Sequence, residues 1–244
     1  MMYIHQNVMK RLLYAFLLCF FTVSQADAVQ DYLIGDNRRV YEEKTGWYMG
    51  FRAEMNMLSW TNNYNSNDTK DAQKEYSCDK YSFSPSFGGS FTIGKSFSYF
   101  WRGEVEAGYT GTFTDQDQGI EFNFSTPYVL SSALYDFRNG LYLGASAGLA
   151  FPKTVWNWDA FLPGNREKTS LSPMGGLIFG LSHRLDYRFI LDLRYRIAGF
   201  YGTSHTRYFE ADPDKDDVYE KYYFKSDIGL VLDNQFSLGL RYEF

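Results

Sequence analysis

The chain has 244 residues, of which 20% are aromatic and 22% are charged, and its formal net charge at pH 7 is −5. This acidic balance, without a strongly basic face, argues against a nucleic-acid partner. A high aromatic content combined with many charged residues suits the wall of a membrane β-barrel, where only alternate residues face lipid.

The N-terminus has the pattern of an export signal. Lys10 and Arg11 precede an apolar run, residues 12–23, and the small residues Ala26 and Ala28 follow it. This pattern predicts a signal peptide over residues 1–28 that is cleaved on export. The run is too short to cross a bilayer as a helix, which needs about 20 residues. Residues 29–45 are polar and unpatterned, and we interpret them as a periplasmic N-terminal lead.

Strict alternation of apolar and polar residues begins at Gly46. One phase holds Trp47, Met49, Phe51, Ala53, Met55 and Met57, and the other holds Tyr48, Gly50, Arg52, Glu54 and Asn56. The same period recurs in residues 81–93 and 101–113, where we place Gly111 and Phe113 in the apolar phase. A period of two is typical of β-strands with one apolar face.

Further strand candidates cover residues 120–135, 140–151, 175–183 and 189–197, and a last strand ends at Phe244. The sequence therefore predicts an all-β fold, a transmembrane antiparallel up-and-down β-barrel of eight strands over residues 46–244. Ten strands are an alternative. Ile228 and the alternate residues from Leu230 to Phe244 share one phase that only Asn234 interrupts, so Asp233 and Asn234 either form a turn or lie within one long strand.

The predicted connections differ in length at the two ends of the barrel. Those near residues 95–98, 136–139 and 184–188 are short, whereas residues 61–80, 153–171 and 202–224 form long loops. Only one connection at the long-loop end, residues 115–119, is brief. This segregation is typical of outer-membrane barrels, whose long loops are extracellular. It also separates a membrane barrel from a soluble β-sandwich, which alternation alone does not.

The polar phase predicts an interior lined with charges of both signs. An eight-stranded barrel is just wide enough for side chains to fill, and unpaired charges there would be costly, so we expect mutual pairing and a plugged lumen. The predicted lumen network comprises Arg52, Glu54, Arg102, Glu104, Glu106, Asp192, Arg194, Arg196, Arg241 and Glu243.

The last eight residues, SLGLRYEF, place Gly239, Tyr242 and Phe244 at the spacing of an outer-membrane assembly signal. Residues 102–109, 134–137, 142–148 and 191–196 have further matching segments, and together the chain resembles the opacity-protein and OmpA-like family of small outer-membrane barrels. The resemblance implies an eight-stranded barrel with variable surface loops, in a family that includes adhesins, surface antigens and structural barrels. Its motifs describe the wall and say little about the loops, where function varies.

Residues for enzymatic chemistry are few. After the signal, His183 and His205 are the remaining histidines, and neither belongs to a metal-binding spacing. His205 beside Ser204 could form a hydrolase dyad, but a solvated loop histidine is the simpler interpretation. Asp212, Asp214, Asp216 and Asp217 alternate as calcium ligands can, yet the EF-hand signature is not met. We therefore predict no enzyme activity, no cofactor and no metal.

The sequence favours an outer-membrane barrel with a structural or adhesive role through its surface loops. The alternatives are a narrow porin and, from another class, a barrel enzyme that acts on lipid or peptide. The expected partners are outer-membrane lipid and lipopolysaccharide, the barrel assembly machinery, and host or surface ligands. Cys78 is the one cysteine after the signal, so no intramolecular disulfide is expected.

Overall fold

The computed structural model describes residues 46–66, 74–78, 85–98, 100–117, 120–137, 139–158, 167–210 and 221–244. The predicted signal peptide and N-terminal lead lie outside these residues. No helix in the described part of the chain is long and apolar enough to cross a membrane.

The described residues form twelve β-strands. In chain order they are β1 (Gly46–Ser66), β2 (Lys74–Cys78), β3 (Pro85–Ser96), β4 (Trp101–Asp117), β5 (Ile120–Asp136), β6 (Leu141–Ala150), β7 (Lys153–Trp158), β8 (Glu167–Thr169), β9 (Ser172–Arg184), β10 (Phe189–Tyr201), β11 (Ser204–Glu210) and β12 (Lys221–Glu243).

Eight of these strands close into an antiparallel barrel. Their order around the wall is β1, β3, β4, β5, β6, β9, β10 and β12, and β12 pairs back with β1. Closure leaves no free edge in the wall, which is how an antiparallel sheet satisfies every backbone group inside a membrane. The predicted eight-stranded barrel is confirmed.

The alternation in sequence becomes an alternation of exposure. On β1, Trp47 is 56% exposed on the outer face while its neighbour Tyr48 is 1% exposed in the lumen. The outer face also exposes Val105, Val129 and Leu177, whereas arginine and glutamate are buried inside. Because this polarity is the reverse of a soluble protein, the barrel is built to lie in lipid.

Aromatic residues mark the two borders of the outer apolar face. Trp101 at one border and Tyr109 at the other are both exposed on β4. They are eight residues apart, so a strand rising about 3.3 Å per residue with a tilt of about 40° separates them by about 20 Å along the barrel axis. This height approaches the band of about 25 Å in outer-membrane barrels.

The two ends of the barrel differ. The near end carries Gly46, Phe244 and the short connections that follow β3, β5 and β9. At the far end, β2, β7, β8 and β11 prolong the wall as antiparallel hairpins. The predicted long loops at residues 61–80, 153–171 and 202–224 are therefore wrong in part, because much of each is paired strand.

The C-terminal strand resolves the alternative of ten strands. β12 runs without interruption through Asp233 and Asn234, which pair with Leu58 and Met57 on β1. The structure therefore has one long strand here, which extends past the membrane. A turn at Asp233 is wrong because the ladders to both neighbouring strands continue through that residue.

Two β-bulges turn into the lumen three residues that the sequence pattern predicts on the outer face. The β4–β5 register shifts between Tyr109 and Thr112, and Gly111 there has φ of 83°. Phe113 consequently turns into the lumen and is 5% exposed, and Gly111 is also buried. Ile228 is buried beyond a similar shift between β1 and β12. Placing these three residues in the lipid-facing phase is wrong, because a bulge adds one residue and changes the phase beyond it.

Candidate functional site

The lumen is the candidate site, because it concentrates buried charge at the centre of the barrel. Alternation on β1, β4 and β10 directs the side chains of Arg52, Glu104, Glu106, Arg194 and Arg196 inward from different parts of the wall. All five are buried, so each depends on the others to replace the water it loses.

Two glutamates on β4 form the centre of the ion-pair network. Glu104 lies 3.2 Å from Arg52, 3.4 Å from Arg102 and 2.7 Å from Arg194, measured between carboxylate oxygen and guanidinium nitrogen. Glu106 lies 3.1 Å from both Arg52 and Arg194. Each of these carboxylates therefore binds several arginines from different strands, which ties distant parts of the wall together.

Further acids complete the network. Asp192 lies 3.2 Å from Arg52 and 3.6 Å from Arg194. Arg196 donates to Glu106 at 2.7 Å, and Arg102 lies 3.1 Å from Asp136. The connected groups are four arginines and four carboxylates, so the network is electrically balanced without any other ion. Its members are Arg52, Arg102, Arg194, Arg196, Glu104, Glu106, Asp192 and Asp136.

Three of the ten residues in the predicted network are placed differently. Arg241 and Glu243 form a separate pair, 3.8 Å apart, at the near-end rim, where Glu243 also binds Arg184 at 2.6 Å. Glu54 is buried, but its contacts are with the Tyr128 hydroxyl and the Gln235 amide. The structure therefore brings seven of the ten residues into one network.

Tyrosines that the sequence reasoning did not select complete the polar contacts. The Tyr48 hydroxyl donates to Glu104 at 2.9 Å, and the Tyr142 hydroxyl accepts a hydrogen bond from Arg194 Nε at 3.1 Å. Arg102 also stacks over the Tyr142 ring at 4.4 Å. The sequence does contain a signal for these tyrosines, because they share the alternating phase of the charged residues.

Three tyrosine rings in the lumen each cover a glycine on the neighbouring strand. The register pairs Tyr48 with Gly94, Tyr128 with Gly108 and Tyr142 with Gly180. A Cβ at any of the three glycines would overlap the facing ring. The glycines therefore make room for the rings to lie flat against the wall, a cross-strand arrangement that also covers otherwise exposed backbone.

The far half of the lumen contains an apolar cluster beside buried polar residues such as Thr154 and Thr203, and the sequence analysis did not predict this cluster. Trp60 packs edge-on against Phe113 at 4.9 Å, and Phe124 stacks with Phe200 at 6.5 Å. The cluster joins side chains from around the wall, namely Leu58, Trp60, Phe113, Phe124, Tyr128, Leu130, Ala150, Met174, Ala198, Phe200, Ile228 and Val231. The lumen thus contains an ion-pair layer and, beyond it, an apolar layer formed by this cluster.

A further acid that the sequence analysis did not place in the lumen lies between the two layers. Asp233 is fully buried on β12, where a turn had been considered. The register places it opposite Ala198 on β10, next to the Arg196–Gln235 pair. The unbroken alternation of β12 could have identified it if the strand had been recognised as continuous.

The residues of the predicted assembly signal lie at the closing seam. Gly239 pairs with Arg52 on β1, and Tyr242 contacts Phe244 edge-on at 5.4 Å. The Phe244 amide donates to the carbonyl of Trp47 at 3.0 Å. Phe244 itself is exposed at the near-end rim. An assembly role for these residues stays a prediction.

The groups considered for catalysis or metal binding are only partly within the described structure. His183 lies near the end of β9 and pairs with Leu191, whereas only the backbone of His205 is described, on β11. The aspartates at 212–217 lie outside the described residues. Within the described residues, no group of histidine, cysteine and acidic side chains could hold a metal ion.

The closed wall, the apolar outer face and the ion-paired lumen define a small transmembrane β-barrel. No family model matches the chain, and no curated protein matches it. Among solved structures, Neisserial surface protein A is 16% identical with a TM-score of 0.45, over 82% of this chain and 97% of that one.

Two other solved barrels give similar values. OprG of Pseudomonas aeruginosa is 15% identical with a TM-score of 0.41, over 82% of this chain and 97% of its own. Ail of Yersinia pestis, the attachment invasion locus protein, is 12% identical with a TM-score of 0.41, over 80% of this chain and 99% of its own. At these values the three proteins support no conclusion about what this chain does.

Proposed function

We propose that this chain is a bacterial outer-membrane barrel whose lumen is plugged and whose structural or adhesive role is carried by its far-end hairpins. The observation that supports the proposal is the pair of layers in the lumen, an ion-pair network and an apolar cluster, each built from strands on several sides of the wall. A filled lumen disfavours the narrow-porin alternative, because a solute would have to break paired charges and displace packed rings.

The length of the wall strands supports a role at the far end. β1 has 21 residues and β12 has 23, whereas a tilted strand crosses a bilayer in about 9–11 residues. The excess lies at the far end, so paired strands rise well above the membrane there. A protruding sheet suits a surface that contacts lipopolysaccharide or another cell.

The proposed orientation of the barrel in the membrane can be tested with Cys78, which lies on β2 at the far end. An impermeant thiol reagent should label it on intact cells. The matched control is Cys78→Ser combined with Asp186→Cys, which moves the thiol to the exposed near-end turn and should abolish labelling. Labelling of the near-end thiol alone would show that the barrel is inserted the other way round.

The surface role is tested by comparing strains with and without the gene for binding to candidate surfaces and for envelope integrity. A third strain carries a barrel in which residues 205–225 are replaced by a short turn. We expect the shortened barrel to preserve envelope integrity and to lose adhesion if the role is adhesive. Normal adhesion and a normal envelope in the deletion strain would contradict both forms of the proposal.

A further inference from the structure

The Tyr128 hydroxyl lies between two glutamates, and their hydrogen bonds require one more proton than the hydroxyl can supply. Its oxygen is 2.8 Å from Glu54 Oε1 and 2.8 Å from Glu106 Oε1. A phenolic hydroxyl carries a single hydrogen, so it donates to one carboxyl group only. The second contact needs a hydrogen from the carboxyl group itself, since two bare oxygen acceptors would repel at that distance.

The surroundings decide which glutamate carries that hydrogen. Glu106 lies within 3.1 Å of Arg52, Arg194 and Arg196, so it is the ionised partner. Glu54 has no arginine or lysine within 4.0 Å among the described residues, and its Oε2 accepts a hydrogen bond from Gln235 Nε2 at 2.7 Å. Its oxygens are thus matched to neutral groups.

We propose that Glu54 is a proton-holding site of the lumen, a neutral carboxylic acid that donates to Tyr128 while Tyr128 donates to Glu106. The titratable and charged groups that face it are Glu106 on β4, Tyr128 on β5, Arg196 on β10 and Asp233 on β12. The four-to-four charge balance of the network does not require Glu54 to be charged. The proton site lies inside the barrel, so its presence does not depend on what the far-end hairpins bind.

The proposal gives the barrel a defined pH dependence. Glutamic acid in the unfolded chain is ionised at neutral pH, whereas folded Glu54 retains its proton, so folding binds one proton. The free energy of unfolding therefore falls as pH rises. Relative to a chain without this site, the unfolding equilibrium constant should gain up to about a factor of ten for each pH unit. The effect ends at the pH where the folded barrel also releases the proton.

The test makes the same chemical change at two positions, Glu54→Gln and Glu106→Gln, and compares the two variants by urea unfolding in lipid vesicles. A glutamine amide can donate to Tyr128 as the protonated acid does, so E54Q should unfold at nearly the same urea concentration as the unmodified barrel. E106Q removes the charge that three arginines share, so it should unfold much earlier or fail to fold. Equal losses in the two variants would overturn the proposal.

Infrared spectroscopy gives a second readout that does not depend on the stability of E106Q. The carbonyl band of a protonated carboxylic acid should be present in the unmodified barrel at neutral pH and should lose intensity in E54Q. In Asp233→Asn, which removes the other buried acid outside the ion-pair network, the part of the band that E54Q loses should remain. The additional pH dependence of unfolding should disappear in E54Q as well. A spectrum of the unmodified barrel without that band would show that Glu54 is ionised.

Discussion

At the scale of single residues, three of the four arginines in the network are each held by more than one acid, and Arg194 shows the consequence. It contacts Glu104 and Glu106 by salt bridges and the Tyr142 hydroxyl by a hydrogen bond. Removal of one member leaves the partners buried and charged without compensation. We expect Arg194→Ala to lower the free energy of unfolding by about 3–5 kcal/mol.

Urea unfolding in lipid vesicles measures this loss, and Lys153→Ala is the control. Lys153 forms an equally short ion pair with Glu167 at 2.7 Å, but both side chains are substantially exposed. Such pairs contribute at most about 1 kcal/mol. If both variants lose the same stability, burial does not strengthen the dependence on pairing.

The tyrosine rings of the lumen depend on the glycines that they cover. In Gly180→Ala the added methyl group overlaps the Tyr142 ring, which Arg194 and Arg102 hold in place. We expect a loss of about 1–3 kcal/mol in the free energy of unfolding. In the control, Gly175→Ala on the outer face of the same strand, the nearest atom to the new methyl is Ser146 O at 3.7 Å, and stability should be nearly unchanged.

At the scale of elements, the period of two predicts which face a residue occupies where a strand is regular. It fails beyond a β-bulge. The residues of β1 from Trp47 to Asn56 keep their predicted faces because nothing interrupts the ladder to β3. Phe113 does not, because the bulge at Gly111 adds one residue to β4. A single-sequence pattern does not reveal such an insertion when the residues beyond the bulge are themselves apolar or small.

The same limit explains what was missed in the lumen. The ion-pair network was predictable because charges stand out against an apolar phase on strands that cross the membrane. The apolar layer was not, because Phe124 and Phe200 are the residue types expected on the outer face. Only the closed three-dimensional wall shows that they point inward.

The end of β12 carries the prediction on assembly. Deletion of Phe244 should lower the yield of folded barrel in cells, because the terminal aromatic is the residue that an assembly machine would recognise before the seam closes. The purified variant should still refold in lipid vesicles, where no machine acts, with stability close to that of the full chain. Heat-dependent migration on gels measures the folded fraction.

Phe97→Ala is the matched control, since Phe97 is also an exposed aromatic residue at the near-end rim. Its folded yield should be unchanged in cells. An equal loss for Phe97→Ala, or a normal yield without Phe244, would contradict a specific role for the terminal residue.

At the scale of the whole molecule, the plugged lumen that we propose has two layers that close the barrel in series. The ion-pair layer resists a solute by paired charge, and the apolar layer resists it by packing that excludes water. Each layer is built from strands on several sides of the wall, so we expect that movement of a single side chain opens neither. This arrangement implies that loss of one layer leaves the other in place.

The purified barrel should therefore show no large, stable conductance in planar lipid bilayers. Arg194→Ala should remain closed because Trp60, Phe124 and their neighbours still fill the far half of the lumen. Phe124→Ala should also remain closed, because the network of Glu104 and Glu106 is intact. The combined variant weakens both layers and should conduct more than either single variant, provided heat-dependent migration shows that it is folded. A persistent open pore in the unmodified barrel would contradict the plugged lumen and favour the narrow porin.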